Sequence, residues 1–252
     1  MSEKHLQDKV ALIFGSARNM GRGFAQSLAA QGASVAVHHR SENSATEAQE
    51  TARLVEEAGG KSLVTSGDVT SLATVQNVFK ETKEHFGRID IVINCVGVVL
   101  KKPFVEYSEE DFNRSFDTNA KAAFFVMKEA ANAVEDNGRI ISLGTSLLGA
   151  FTGYYGVYAG SKAPLEDFSR ALAKEVGGRG ITVNVVAPGP VDTEFFHGEE
   201  NDDSVAYLSA ASVANRLGKI EDIVPTINFL CSPGGQWMTG QILFVNGGFT
   251  TR

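Results

Sequence analysis

The chain has 252 residues, of which 43% are hydrophobic and 21% charged, proportions that exclude wholesale disorder and collagen-like repeats. Lys and Arg number 23 against 30 Asp and Glu, and the formal charge of -7 gives no support to a nucleic-acid or anionic-membrane surface. Two cysteines, Cys95 and Cys231, are too few for a disulfide framework or a zinc knuckle and fit a reducing compartment.

The N-terminal run from Met1 to Lys9 is charged and lacks the apolar segment of a signal peptide. No apolar stretch reaches the ~18 residues of a membrane span, so a cytoplasmic location is expected. A buried strand is predicted over 9–15, followed by a helix through 24–30 that stops at Gly32. A second strand covers 34–38, and a polar helix over 45–58 ends in Gly59-Gly60, a C-cap signal. The strand pattern recurs at 61–65, 89–94, 139–144, 182–187 and 241–245. Helical stretches fill the gaps at 72–86, 108–134, 156–176 and 221–230. Strands that are apolar throughout are covered on both faces. Seven such alternations predict an α/β fold: a Rossmann-type, doubly wound, seven-stranded parallel sheet with helices on both faces.

No composition break divides the chain, so residues 1–252 read as a single domain. The irregular stretch holds Phe195-Phe196 and the acidic run from Glu199 to Asp203. It follows the sixth strand and would hang over the crevice beyond the strand ends, which makes 190–217 a candidate substrate lid. A plain solvated loop is the competing reading.

The first strand runs into Gly15-Ser16-Ala17-Arg18-Asn19-Met20-Gly21 and then a helix. Glycines at such a turn let backbone amides approach a pyrophosphate, although a purely structural tight turn has the same appearance. Tyr158 and Lys162 are four apart, hence on one helical face, where an ammonium would lower the phenol's pKa toward useful acid/base values. Thr145 and Ser146 end a strand with hydroxyls that would bond a substrate carbonyl or merely form a turn.

Taken together, these residues resemble the short-chain dehydrogenase/reductase family, in the compact branch similar to 3-oxoacyl-carrier-protein reductases. The resemblance runs along the whole chain, through Asp68-Val69, Asn94 to Gly97, Asn119, Pro188-Gly189 with Val191 and Thr193, and a closing Asn246-Gly247-Gly248. It implies a hydride transfer between a nicotinamide cofactor and a ketone or secondary alcohol, with a 3-oxoacyl thioester or similar keto compound as substrate. It implies Tyr158 as general acid or base, Lys162 as the group that tunes it and holds the nicotinamide ribose, and Asn119 as holder of a relay water. Asp68 would accept from the adenine amino group, Val69 would offer backbone, and Asn94 and Gly97 would flank the adenosine ribose. Thr193 would grip the carboxamide beside Pro188, Gly189 and Val191. Relatives also pair subunits through the helices at 108–134 and 156–176, which implies a homotetramer, with a dimer second. A cofactor-binding sensor or scaffold of the same fold without turnover is the alternative.

Three departures from the family pattern stand out. Phe14 precedes the first glycine and Asn19 replaces the middle one; Asn tolerates a left-handed φ better than other side chains. The fourth strand ends Asn94-Cys95-Val96-Gly97 rather than Asn-Asn-Ala-Gly. The carbonyl-orienting Ser lies thirteen before the Tyr in relatives; here that position is Thr145, with Ser146 beside it as the alternative.

An acidic residue at the end of the second strand would bond a ribose 2′-hydroxyl and favour NAD. Here the strand ends His38-His39-Arg40-Ser41, so Arg40, Ser41 and Arg18 favour NADP, with NAD as second choice. The histidines, at 5, 38, 39, 85 and 197, show no metal-ligand spacing, so no metal is expected. His38 and His39 are expected to border the adenosine side. No Gly-x-Ser-x-Gly elbow supports a hydrolase, and a methyltransferase would have no use for the Tyr158/Lys162 pair.

Overall fold

Alternate residues of the apolar strands face opposite layers, because side chains in a strand alternate between its faces. In β1 (Val10–Phe14), Ala11 and Ile13 enter one core with Phe24, Leu28 and Ile227. Leu12 and Phe14 enter the other with Val75, Val78 and Val126. Each fully buried side chain of this size contributes about 1.5–3 kcal/mol, so both faces must stay covered. The remaining strands are β2 (Ser34–His39), β3 (Ser62–Ser66), β4 (Ile91–Asn94), β5 (Arg139–Leu143), β6 (Thr182–Pro188) and β7 (Ile242–Val245). All pair in parallel in one seven-stranded sheet, in the order β3-β2-β1-β4-β5-β6-β7.

The computed structural model describes residues 4–251. Met1, Ser2 and Glu3, at the head of the charged N-terminal run, and Arg252 lie outside the described residues. Helices α1 (Asn19–Ala30), α2 (Ala45–Glu57) and α3 (Leu72–Phe86) follow the first three strands. Helix α3 starts at Ser71, whose Oγ accepts from the Thr74 amide, and stops at Gly87 with φ +82°.

The predicted helix at 108–134 forms from Glu109 to Ala133, with a π turn inside it. Helix α4 (Glu109–Phe116) and α5 (Ala122–Ala133) are joined by a π turn over Asp117–Lys121, which carries Asn119. The predicted helix at 156–176 is two segments, α6 (Gly156–Lys162) and α7 (Pro164–Val176), because Pro164 has no N–H to continue the ladder. The stretch after β6 holds two short helices, α8 (Glu194–His197) and α9 (Asp202–Ala210), before α10 (Ile220–Cys231). Asn201 and Ser204 form a reciprocal capping box at the start of α9. Among the described residues, no helix is long and apolar enough to cross a membrane.

Candidate active site

Strand order reverses between β1 and β4, and a crevice opens beyond their carboxyl ends, where Phe14 pairs with Asn94. The glycine turn forms one wall. Gly15 has φ +73°, and a Cβ there would lie 3.2 Å from the Val96 amide nitrogen. A Cβ on Gly21 would sit 2.4 Å from the Gly15 carbonyl oxygen, so the turn folds back on itself only without side chains. Asn19 adopts φ +51°, the left-handed conformation foreseen for it. The turn borders a cleft of about 660 Å³ that reaches Arg40, Asp68, Val69, Gly97, Lys162 and Thr193.

Other sequence-predicted residues stand elsewhere. Ser16 is fully buried; its Oγ donates to the Ile13 carbonyl at 2.7 Å and accepts from the His38 amide at 3.1 Å, tying β1 to β2. The Asn94 side chain turns onto the Val96 amide at 3.1 Å, away from the cleft surface. Ser41 does not line the cleft, whereas Ser44 does; the Ser41 carbonyl accepts from His39 Nδ1 at 3.0 Å. Pro188, Gly189 and Val191 line a second, adjoining cavity.

His38 and His39 do border the cleft. His38 Nε2 lies 3.0 Å from the Gly67 carbonyl, which can only accept, so that nitrogen carries the proton. Nδ1 then accepts from the Gly15 amide at 3.4 Å. Burial pushes the His38 pKa down to about 4, and the neutral ring bridges the glycine turn to the loop after β3.

Both arginines at this end are paired. Arg40 Nε and Nη2 donate to Asp68 Oδ2 at 3.1 and 2.8 Å, and Arg18 Nη1 donates to Glu194 Oε2 at 3.3 Å. Burial raises the Asp68 carboxyl, but the hydrogen bonds from Thr70 and Arg40 outweigh it and hold the group below its usual range.

At the other end of the cleft Lys162, Asn119 and Tyr158 come together. Lys162 is buried, and its Nζ donates to the carbonyls of Leu143 at 2.9 Å and Val96 at 3.3 Å. A Cβ on Gly97 would crowd that Nζ to 3.1 Å and the Asn119 Oδ1 to 3.2 Å, so glycine leaves room for both. Asn119 is locked in place: Oδ1 accepts from the Val98 amide at 2.8 Å, and Nδ2 donates to the Val98 carbonyl and Ser161 Oγ.

The expectation that Lys162 lowers the Tyr158 pKa is corrected here. Burial pushes Tyr158 up to about 12, only partly countered by a hydrogen bond with Thr145, while burial brings Lys162 down to about 8. In a site this enclosed, desolvation is the dominant effect on both groups. The two hydroxyls differ in their partners: Ser146 Oγ donates to the Ala187 carbonyl at 2.8 Å, whereas Thr145 meets Tyr158.

Tyr158 lines both the cleft and the adjoining cavity of about 110 Å³, whose walls include Val99, Leu147, Phe196, Leu208 and Phe249. Sequence reading missed Tyr155, Glu199 and Glu200 on this cavity. Nothing in their spacing signalled that the fold would bring them together.

Comparison with known proteins agrees with this geometry. A family model described as Enoyl-(Acyl carrier protein) reductase matches residues 15–250. A short-chain type dehydrogenase/reductase from Picea abies is 36% identical over 96% of this chain and 93% of its own length. An NADPH-dependent aldehyde reductase-like protein, chloroplastic, from Arabidopsis thaliana is 36% identical over 97% of this chain and 95% of its own. A Burkholderia cenocepacia protein crystallised with bound NADP superposes with a TM-score of 0.96 at 47% identity, covering 100% of this chain and 97% of that one.

Proposed function

The chain belongs to the short-chain dehydrogenase/reductase family of oxidoreductases, and from that premise we propose that it reduces a ketone to a secondary alcohol with NADPH. One observation carries the reading: Tyr158 and Thr145 converge where the long cleft meets the apolar cavity. When bound, NADPH supplies the hydride, and the protein supplies position and a proton. The residues fit such a dinucleotide, because the Gly15–Gly21 turn is held tight by two glycines with no room for a Cβ and two arginines flank the far end of the cleft.

In this reading the Tyr158 hydroxyl donates its proton to the carbonyl oxygen and the Thr145 hydroxyl orients that oxygen. A phenol held protonated by burial suits the reductive direction. Lys162 holds the nicotinamide ribose hydroxyls, Asn119 holds a relay water, and Thr193 meets the carboxamide beside Pro188, Gly189 and Val191. Asp68 and Val69 flank the adenine, with Gly97 at the ribose. Arg18 and Arg40 exchange their carboxylate partners for the 2′-phosphate, which sets the preference for NADPH over NADH. Ser16 and Asn94 support the turn from behind. Segment 190–217 acts as the substrate lid of a single catalytic domain.

The family description names enoyl reduction, but a phenol and a hydroxyl aimed at one point serve a carbonyl oxygen better than a carbon–carbon double bond. NADPH deuterated at its transferable position, offered with a panel of neutral saturated and α,β-unsaturated ketones, tests the proposal. The expected result is one deuterium on the carbinol carbon per NADPH consumed. Label on the carbon β to an intact carbonyl would mean enoyl reduction, and binding without consumption would mean a sensor.

The assembly proposed is a homotetramer. Phe124 is 47% exposed and stacks edge-on against Phe168 of α7, leaving an aromatic face outward for a second copy. Both cysteines are free thiols, which is consistent with the cytoplasm as the compartment proposed.

A further inference from the structure

Two side chains that line the apolar cavity, Tyr155 and Glu200, meet a third, Lys101, from a separate segment. Lys101 comes from the loop after β4, Tyr155 caps α6, and Glu200 lies between α8 and α9. The Glu200 carboxylate accepts from the Tyr155 hydroxyl on one oxygen and from the Lys101 ammonium on the other. Its side chain is 2% exposed. The Lys101 ammonium lies 5.4 Å from the centre of the Tyr155 ring, and the Lys101 amide donates to Glu199 Oε2 at 3.0 Å. Only Glu200 pairs with the Lys101 ammonium, whereas Glu199 accepts from a main-chain amide, so the cavity that Tyr158 lines carries two carboxylates against one cation.

Among the described residues that line the cavity there is no Lys, Arg or His, and the neighbouring Lys102 is bound to Asp111 at 2.7 Å. The rest of the lining is mostly apolar, its other polar side chains being uncharged hydroxyls, and in such surroundings a like charge is poorly screened. Burial raises the Glu200 carboxyl, but hydrogen bonds from Lys101, Ser204 and Tyr155 outweigh it and keep the group ionised.

We propose that Glu199 and Glu200 are specificity-determining residues that admit carbonyl compounds without a negative charge and turn away carboxylates and acyl groups on acidic carriers. The inference rests on the carbonyl-reduction reading of the same site. It narrows the substrate away from the carrier-bound thioesters that the sequence resemblance suggested. A hydroxyl or amine donor at the end of the substrate remote from the keto group would find a carboxylate oxygen there.

The test compares methyl 4-acetylbenzoate with 4-acetylbenzoate, which differ by one charge at the end away from the ketone. The wild-type protein with NADPH should favour the ester by at least ~30-fold in kcat/KM, since like-charge juxtaposition is strongly disfavoured. Glu200→Gln removes one carboxylate and frees the Lys101 ammonium, so the ratio should shrink by ~10-fold or more, mainly through faster reduction of the anion. Glu199→Gln leaves the Lys101–Glu200–Tyr155 cluster intact and should shrink the ratio less, which keeps the test decisive should Glu200→Gln fold poorly. Equal handling of the two compounds by the wild type would overturn the proposal, as would a ratio unmoved in the variants. If neither compound is reduced, the carbonyl-reduction reading fails, and calorimetric binding of the pair decides the charge rule separately. Weaker binding of the anion that recovers in Glu199→Gln supports it, and equal binding overturns it.

Discussion

The cofactor cleft and the substrate cavity meet at Tyr158 but are built from different materials. The cleft is shaped by main chain at strand ends: a turn whose two glycines have no room for a Cβ, a glycine beside Lys162, and a neutral histidine spanning two loops. The cavity is shaped by side chains from remote segments, with Phe196 of α8, Leu208 of α9 and Leu147 lining it together, and a buried carboxylate holding Lys101 and Tyr155 together. Backbone geometry admits few residue types at each position, so it suits a ligand common to many relatives. Side-chain walls vary freely, so they suit selection among substrates.

The largest effect expected on the cleft side comes from pH. His38 is held neutral with its pKa near 4, whereas an unfolded histidine titrates near 6.5. Above about pH 6.5 both states are neutral and this contribution to stability is fully present. As pH falls, the unfolded chain takes the proton first, so stability declines until about pH 4, by about 3 kcal/mol from this residue. Chemical denaturation of wild type and His38→Asn across that window should give curves that converge by this amount toward low pH. Parallel curves would remove His38 from the account.

A smaller effect is expected at the adenosine end. Arg40→Asp replaces the cation beside Asp68 with a second carboxylate, so kcat/KM should shift toward NADH by roughly 10–100-fold. Substrate KM should stay in place, because Arg40 lies outside the cavity. A change in substrate KM with no change in cofactor preference would break the separation between the two regions.

The same division explains how much of the molecule was legible in its sequence. The strands were legible because burial on both faces forces continuous apolar runs, as in Val10–Phe14. The glycine turn and the Tyr158/Lys162 pair were legible because their spacing is set by local geometry. Even α9 carried a local signal, the Asn201/Ser204 capping pair, that the sequence reading left unused. The π turn at Asp117–Lys121 was not legible, since one extra residue in a helical turn leaves no compositional trace. Nor was the Arg40–Asp68 pair or the Lys101–Glu200–Tyr155 cluster, whose members are far apart in sequence and meet only through the packing of loops. The direction of the Tyr158 pKa was missed for a related reason. Adjacency to an ammonium is visible in sequence, but its engagement with the Leu143 and Val96 carbonyls and the depth of the phenol's burial are not.

The most direct test of the account is Tyr158→Phe, measured for turnover and for NADPH binding on the same preparation. The substitution deletes one hydroxyl at the junction and leaves the main-chain walls of the cleft untouched. Ketone reduction should fall by at least ~100-fold, the scale of a positioned proton donor, while NADPH affinity by fluorescence titration stays near wild type. Turnover close to wild type in that variant, or a parallel loss of cofactor affinity, would contradict it.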